Sequence, residues 1–135
     1  MKPVRFMLDT DTCSFAIRGG DAKLRAALRR RAENLCVSVI TVAELRFGAM
    51  KKGSPRISEA VSRFLELVEA VPWTEEAAAR YADLRTHLET IGQPIGNMDM
   101  LIAASALAEQ CRLVTHNLAH FRRVPGLSVE DWAAE

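Results

Sequence analysis

The chain has 135 residues, 49% of them hydrophobic, and its 18 Lys plus Arg against 17 Asp plus Glu leave a formal net charge of +1. That length can bury a core without staples and leaves no room for a second sizeable domain, so residues 1–135 are expected to form a single domain. The near-zero charge excludes a protein that holds nucleic acid through its whole-molecule field; any such binding must come from local patches.

Val4 to Leu8 is short and apolar and ends on Asp9 and Thr10, the pattern of a buried strand running into a helix start. Asp21 is placed to cap a helix in which Leu24 and Leu28 share an apolar stripe, with Arg25, Arg29, Arg30 and Arg31 mainly off it. Leu35 to Val39 reads as a second strand. Thr41 to Lys52 reads as a helix broken by Gly53, Ser54 and Pro55, and Ile57 to Val68 resumes with Val61, Leu65 and Val68 at helical spacing. Ala70 to Trp73 reads as a third strand, after which Thr74, Glu75, Glu76 and Ala77 open a long helix to about Ile91, stopped by Gly92. A loop from Gly92 to Gly96 leads into a helix near Met98 to Gln110. Arg112 to Thr115 reads as a fourth strand followed by a short turn or helix, and Leu127 to Val129 as a candidate fifth. Strands separated by helices imply right-handed crossovers, so the expected class is α/β: a central, mainly parallel sheet of four to five short strands flanked by helices.

Three cysteines, Cys13, Cys36 and Cys111, stand far apart in the chain with no C-x-x-C spacing, and read as free, mostly buried thiols in a reducing compartment. Asp9 and Asp11 interrupt the N-terminus before a signal-peptide core could form, and no run approaches the roughly 20 apolar residues of a spanning helix. A soluble, cytoplasmic protein without membrane contact is expected.

In an open parallel sheet, ligands sit beyond the carboxyl ends of the strands, where Asp9 falls on the first strand and Asn117 on the fourth. Glu44 is expected on the first turn of the helix after the second strand, and Asp99 on the first turn of the helix before the fourth. Carboxylates gathered there repel one another unless a hard cation joins them, and Mg²⁺ or Mn²⁺ takes one or two carboxylates while keeping waters. Each acid has an ordinary alternative. Asp9 or Asp11 can cap a helix, Thr41-x-x-Glu44 matches a capping box, and Asp99 can complement a helix dipole.

Several ordered stretches then carry a resemblance: Phe6-Met-Leu-Asp9-Thr10, Ser38-Val-Ile-Thr-Val-Ala-Glu44-Leu-Arg-Phe-Gly48, Pro94-Ile-Gly-Asn-Met-Asp99-Met-Leu-Ile-Ala-Ala104, Leu113-Val-Thr-His-Asn117 and Arg123-Val-Pro-Gly-Leu-Ser-Val-Glu-Asp-Trp132. Across nearly the whole chain they resemble the PIN-domain ribonucleases, specifically the VapC toxins of bacterial toxin–antitoxin pairs, and most of all the group that cleaves initiator tRNA. The resemblance implies a PIN-like fold and a Mg²⁺- or Mn²⁺-dependent endoribonuclease. It implies in-line attack by water that leaves a 5′-phosphate and a 3′-hydroxyl. Asp9 and Asp99 would hold the ion, and Glu44 would orient or deprotonate the water. It further implies an RNA substrate such as tRNA, a VapB-like antitoxin partner and a homodimer. The position of the family's fourth acid falls on Asn117, which would act through hydrogen bonds or water. Asp11 stands where asparagine is more familiar and either restores charge or caps the first helix. Thr115 either steadies the sheet edge or satisfies backbone.

Basic clusters at Arg29 to Arg31, at Lys51, Lys52 and Arg56, and at Arg122 and Arg123 either grip phosphates or simply solvate helices. His116 and His120 stand four apart without the Glu or Cys that would complete a zinc motif. Phe47, Met50, Phe64 and Leu67 could face a partner or the core. Two rivals stay open: Asp9-Thr-Asp11-Thr12 also matches the nucleophile motif of haloacid-dehalogenase-type phosphatases, and a non-catalytic PIN-like binding module would keep the fold without the chemistry.

Overall fold

Residues 3–133 are described in a computed structural model of the chain. Phe6–Leu8 (β1), Leu35–Ser38 (β2), Glu69–Val71 (β3), Arg112–Val114 (β4) and Val129–Glu130 (β5) build one sheet in the order β3-β2-β1-β4-β5. All four neighbouring pairs are parallel, so the sheet is parallel throughout rather than mainly so. Among the described residues seven α-helices connect and cover them: Thr10–Ile17 (α1), Ala22–Arg30 (α2), Val39–Lys52 (α3), Pro55–Glu66 (α4), Glu75–Thr90 (α5), Asn97–Ala108 (α6) and Leu118–Phe121 (α7).

The central strand β1 explains the two-sided core. Its three residues are all buried, and as successive side chains alternate across a sheet, Met7 enters one apolar cluster while Phe6 and Leu8 enter the other. Leu84 and Leu88 of α5 and Ile102, Ala103 and Ala106 of α6 fill the Met7 side; Leu24 of α2, Leu45 of α3 and Val61 of α4 fill the opposite side. Full burial of a side chain the size of Met7 or Leu8 stabilises by roughly 2 kcal/mol, which fixes the strand whose end carries Asp9.

Several boundaries differ from expectation for local reasons. The second strand ends at Ser38, not Val39, because the Ser38 hydroxyl accepts the Ile40 amide at 3.1 Å and starts α3 there. Thr41 is consequently buried inside the helix and Glu44 lies on its second turn, so the Thr41-x-x-Glu44 capping box is not formed. Gly53 ends α3 with φ +65°, a conformation that side chains with a Cβ resist. The third strand begins at Glu69 rather than Ala70, and the fifth falls at Val129–Glu130 rather than Leu127 to Val129. All three cysteines are free and buried, yet Cys36 and Cys111 are not distant in space: their sulfurs lie 3.7 Å apart. Among the described residues no helix is long and apolar enough to cross a membrane.

Candidate active site at the carboxyl edge of the sheet

Asp9 leaves β1 with its backbone amide still paired to the Val114 carbonyl at 3.0 Å, so its position is an extension of the sheet. Its carboxylate does cap α1, Oδ1 accepting from the Thr12 amide at 2.9 Å, while Oδ2 accepts from the Thr115 hydroxyl at 2.6 Å. A carboxylate oxygen has two acceptor sites, so each oxygen retains one for another partner. With Asp9 only 3% exposed, burial pushes its carboxyl above the ordinary range, and the bonds from Thr115 and Thr12 pull it back. Because Asp9 is the cap, Asp11 is not. Asp11 lies exposed on the first turn of α1, where its charge acts on both Asp9 and Asp99.

Asp99 is the third residue of α6, on the turn that follows Gly96, as expected. Its partly buried carboxylate makes no hydrogen bond among the described residues. Burial, followed by the negative charges of Asp9, Asp11 and Glu44, pushes its carboxyl up to about 6; His120 alone of the contributing groups pulls it down. Glu44 reaches the same edge from the second turn of α3, its Oε1 accepting from the Thr10 hydroxyl at 2.6 Å. The Thr10 and Thr41 hydroxyls lie 3.1 Å apart. Having one proton, Thr10 spends it on Glu44 and takes its own bond from Thr41.

The structure therefore gathers the electrostatics of Asp9, Glu44, Asp99 and Asp11, four acids with no ion-paired Lys or Arg among the described residues. Acceptors left open on Asp9, an unbonded Asp99 and uncompensated like charge fit a small divalent cation. Among the described residues no three acidic, histidine or cysteine side chains already close into a coordination shell. A cation that takes one or two carboxylates and retains its waters does not require one.

Thr115, fully buried, accepts from the Asn117 amide at 2.9 Å while donating to Asp9, so it serves both the acid and the backbone. The Asn117 side chain meets His120 Nδ1 at 2.7 Å, and His116 Nδ1 instead meets Asp131 at 2.9 Å, so the two histidines do not form a pair. Thr10 and His120 were not singled out for the acidic centre from sequence. For Thr10 the available signal was its place beside Asp9; for His120 there was none beyond the spacing already noted.

Beside the acids runs a groove of about 470 Å³ between α1, α3 and α4, with Glu44 in its lining and Arg18, Lys52 and Arg56 on its walls. None of those three cations is ion-paired among the described residues. The Arg31 guanidinium, by contrast, lies 5.0 Å over the Phe6 ring, and an Arg123 N–H donates to the Pro94 carbonyl, so part of the basic surface serves packing. Phe6 and Trp132 pack as a tilted pair at 5.1 Å, a core role for both.

The sequence pattern of the PIN domain matches residues 6–127. The chain is 35% identical over 130 residues to the tRNA(fMet)-specific endonuclease VapC of Salmonella typhimurium, covering 96% of this chain and 98% of that protein. It is 37% identical over 130 residues to Ribonuclease VapC2 of Rickettsia felis, covering 94% and 97%. A chain of the DNA-bound VapBC complex from Salmonella typhimurium superimposes with a TM-score of 0.92 at 35% identity, covering 97% of this chain and all of the other. The phosphatase reading of Asp9-Thr-Asp11-Thr12 falls with these likenesses, and the chain belongs to the VapC family of PIN-domain ribonucleases.

Proposed function

We propose that the chain is the toxin of a toxin–antitoxin pair, an endoribonuclease that hydrolyses structured RNA of the tRNA class to 5′-phosphate and 3′-hydroxyl ends. Nucleases of this family depend on divalent metal, and the ion assigned to this chain is Mg²⁺ or Mn²⁺. The observation that carries the reading is the buried Asp9 carboxylate, held by Thr12 and Thr115 with acceptors to spare, its charge acting with that of Glu44 on Asp99 beside a groove walled by cations that are not ion-paired among the described residues.

Asp9 and Asp99 would hold the cation, which would polarise a phosphoryl oxygen and acidify water. Glu44, steadied by Thr10, orients the attacking water and takes its proton. Asp11 adds negative charge at the rim, the part Asn117 cannot play. Thr115 keeps Asp9 from turning. Arg18, Lys52 and Arg56 lead the RNA backbone along the groove toward the acids. The substrate class follows the name of the Salmonella relative, and a VapB-like antitoxin follows from the VapBC complexes among the solved relatives. Phe47, Met50 and Leu67, respectively 67%, 79% and 77% exposed, supply the apolar surface that an antitoxin and a homodimer need.

The test uses purified protein on a total tRNA pool with Mg²⁺, followed by mapping of new 5′-phosphate ends. Discrete ends that vanish with EDTA and in the Asp99→Asn variant are expected. RNA left intact by well-folded protein in either metal would favour the non-catalytic binding module.

A further inference from the structure

One hydrogen-bonded chain runs outward from the metal-binding carboxylate. Asp9 Oδ2 takes the Thr115 proton, Thr115 Oγ1 takes the Asn117 amide proton, and the Asn117 side chain meets His120 Nδ1 at 2.7 Å. Asn117 stands at the N-cap of α7, but its side chain caps no backbone N–H of that helix. Its backbone amide serves Thr115, and its side-chain amide is committed to the His120 imidazole instead.

The chemistry of that contact fixes the ring. Asn117 Nδ2 only donates, so His120 Nδ1 must accept, and a neutral imidazole with Nδ1 accepting carries its proton on Nε2. The ring thereby becomes a one-way donor on its far edge. His120 is partly buried, and the contacts from Asp9 through Thr115 and Asn117 tie it to the acidic edge, with no ion pair to an acid among the described residues. His116 is different: its side chain is mostly exposed and its Nδ1 is taken by Asp131.

A phosphate entering this edge meets four carboxylates that repel it and needs donors on the side away from the cation. We propose that His120 is a substrate-contacting residue whose Nε2–H, aimed by Asn117, donates a hydrogen bond to a non-bridging oxygen of the scissile phosphate. The inference rests on the ribonuclease reading above. It gives Asn117 a role of its own: an aspartate there could only accept, would draw the ring proton to Nδ1, and would turn the lone pair of a neutral Nε2 toward the phosphate.

Three substitutions separate this from a structural role, because glutamine can place its amide nitrogen near the position of Nε2 and asparagine near that of Nδ1. With a tRNA pool and Mg²⁺, His120→Ala should lower kcat about 100-fold, the lower end for loss of one transition-state donor, with KM changed less than about threefold. His120→Gln should recover to within about fivefold of wild type, and His120→Asn should behave like the alanine variant. A second readout needs neither metal nor RNA: ¹⁵N-edited NMR of the metal-free protein should find the neutral His120 protonated at Nε2 in wild type, and a mixture of tautomers in Asn117→Ala. An alanine variant with wild-type kcat, a folded glutamine variant as impaired as alanine, or a wild-type ring protonated at Nδ1 would each overturn the assignment. A wild-type protein that cuts no RNA sinks the ribonuclease reading instead, and the tautomer measurement still judges the Asn117–His120 contact.

Discussion

Replacing Asp99 by Asn should make the metal-free protein more stable at neutral pH while removing its activity. The Asp99 carboxyl is pushed from the ordinary 3.8 up to about 6, first by burial and then by the charges of Asp9, Asp11 and Glu44. A carboxyl whose folded value exceeds its unfolded value binds protons better in the native state, so its ionisation opposes folding. The penalty is absent below about pH 3.8, grows between there and about pH 6, and is complete above. At about 1.36 kcal/mol per tenfold in proton affinity the full penalty is near 3 kcal/mol. The side chain is only partly buried, and solvent screening reduces this to about 1–1.5 kcal/mol. Urea titration in EDTA at pH 7.5 should therefore show Asp99→Asn about 1 kcal/mol more stable than wild type, and at pH 4 the gain should be gone. Saturating Mg²⁺ should reverse the order at pH 7.5, since wild type then gains binding free energy that the variant has lost. A variant that is no more stable than wild type in EDTA at pH 7.5, or one equally favoured at both pH values, would refute the reasoning.

Thr115→Val should destabilise by about 2 kcal/mol in urea titration, because it strips a charge-assisted bond from the buried Asp9 carboxylate; Thr115→Ser should recover most of the loss. Thr10→Val should lower kcat about tenfold by freeing Glu44 from its 2.6 Å restraint, with near wild-type rate in Thr10→Ser; equal rates in all three proteins would remove Thr10 from the site. Lys52→Ala or Arg56→Ala should flatten the dependence of log(kcat/KM) on log salt by about 0.7 each, and an unchanged slope would mean that the groove does not carry the backbone.

Legibility in the sequence followed the range over which each interaction acts. The Phe6-Met7-Leu8 run, the Asp21 and Thr74 caps and the Gly53-Ser54-Pro55 break are local signals, and each element they predicted is present. Boundaries moved where two local signals competed: Ser38 captured the start of α3 ahead of Thr41, which took Glu44 from the first turn to the second. The three main acids could be listed from chain order because strand ends and helix starts converge on one edge of a parallel sheet. What holds them could not be read that way. Thr10 reaches Glu44 across 34 positions and Thr115 reaches Asp9 across 106, and no periodicity encodes such a pairing. The fate of Asp11 was decided by its neighbour, for once Asp9 had taken the cap, only the exposed rim was left.

The last of those separations bears on when the protein can act. Asp9 leaves the ribosome 106 residues ahead of Thr115, and β1 stays unpaired on one side until β4 arrives to accept its register. A sheet centred on β1 thus cannot complete its middle until β4 has been made, the kind of long loop closure that slows folding. An unfinished chain holds Asp9 without the hydroxyl that fixes it and without the strand that buries it. Cutting is thereby deferred until β4 has been made, and a truncated product ending before residue 112 should be harmless to the RNA around it.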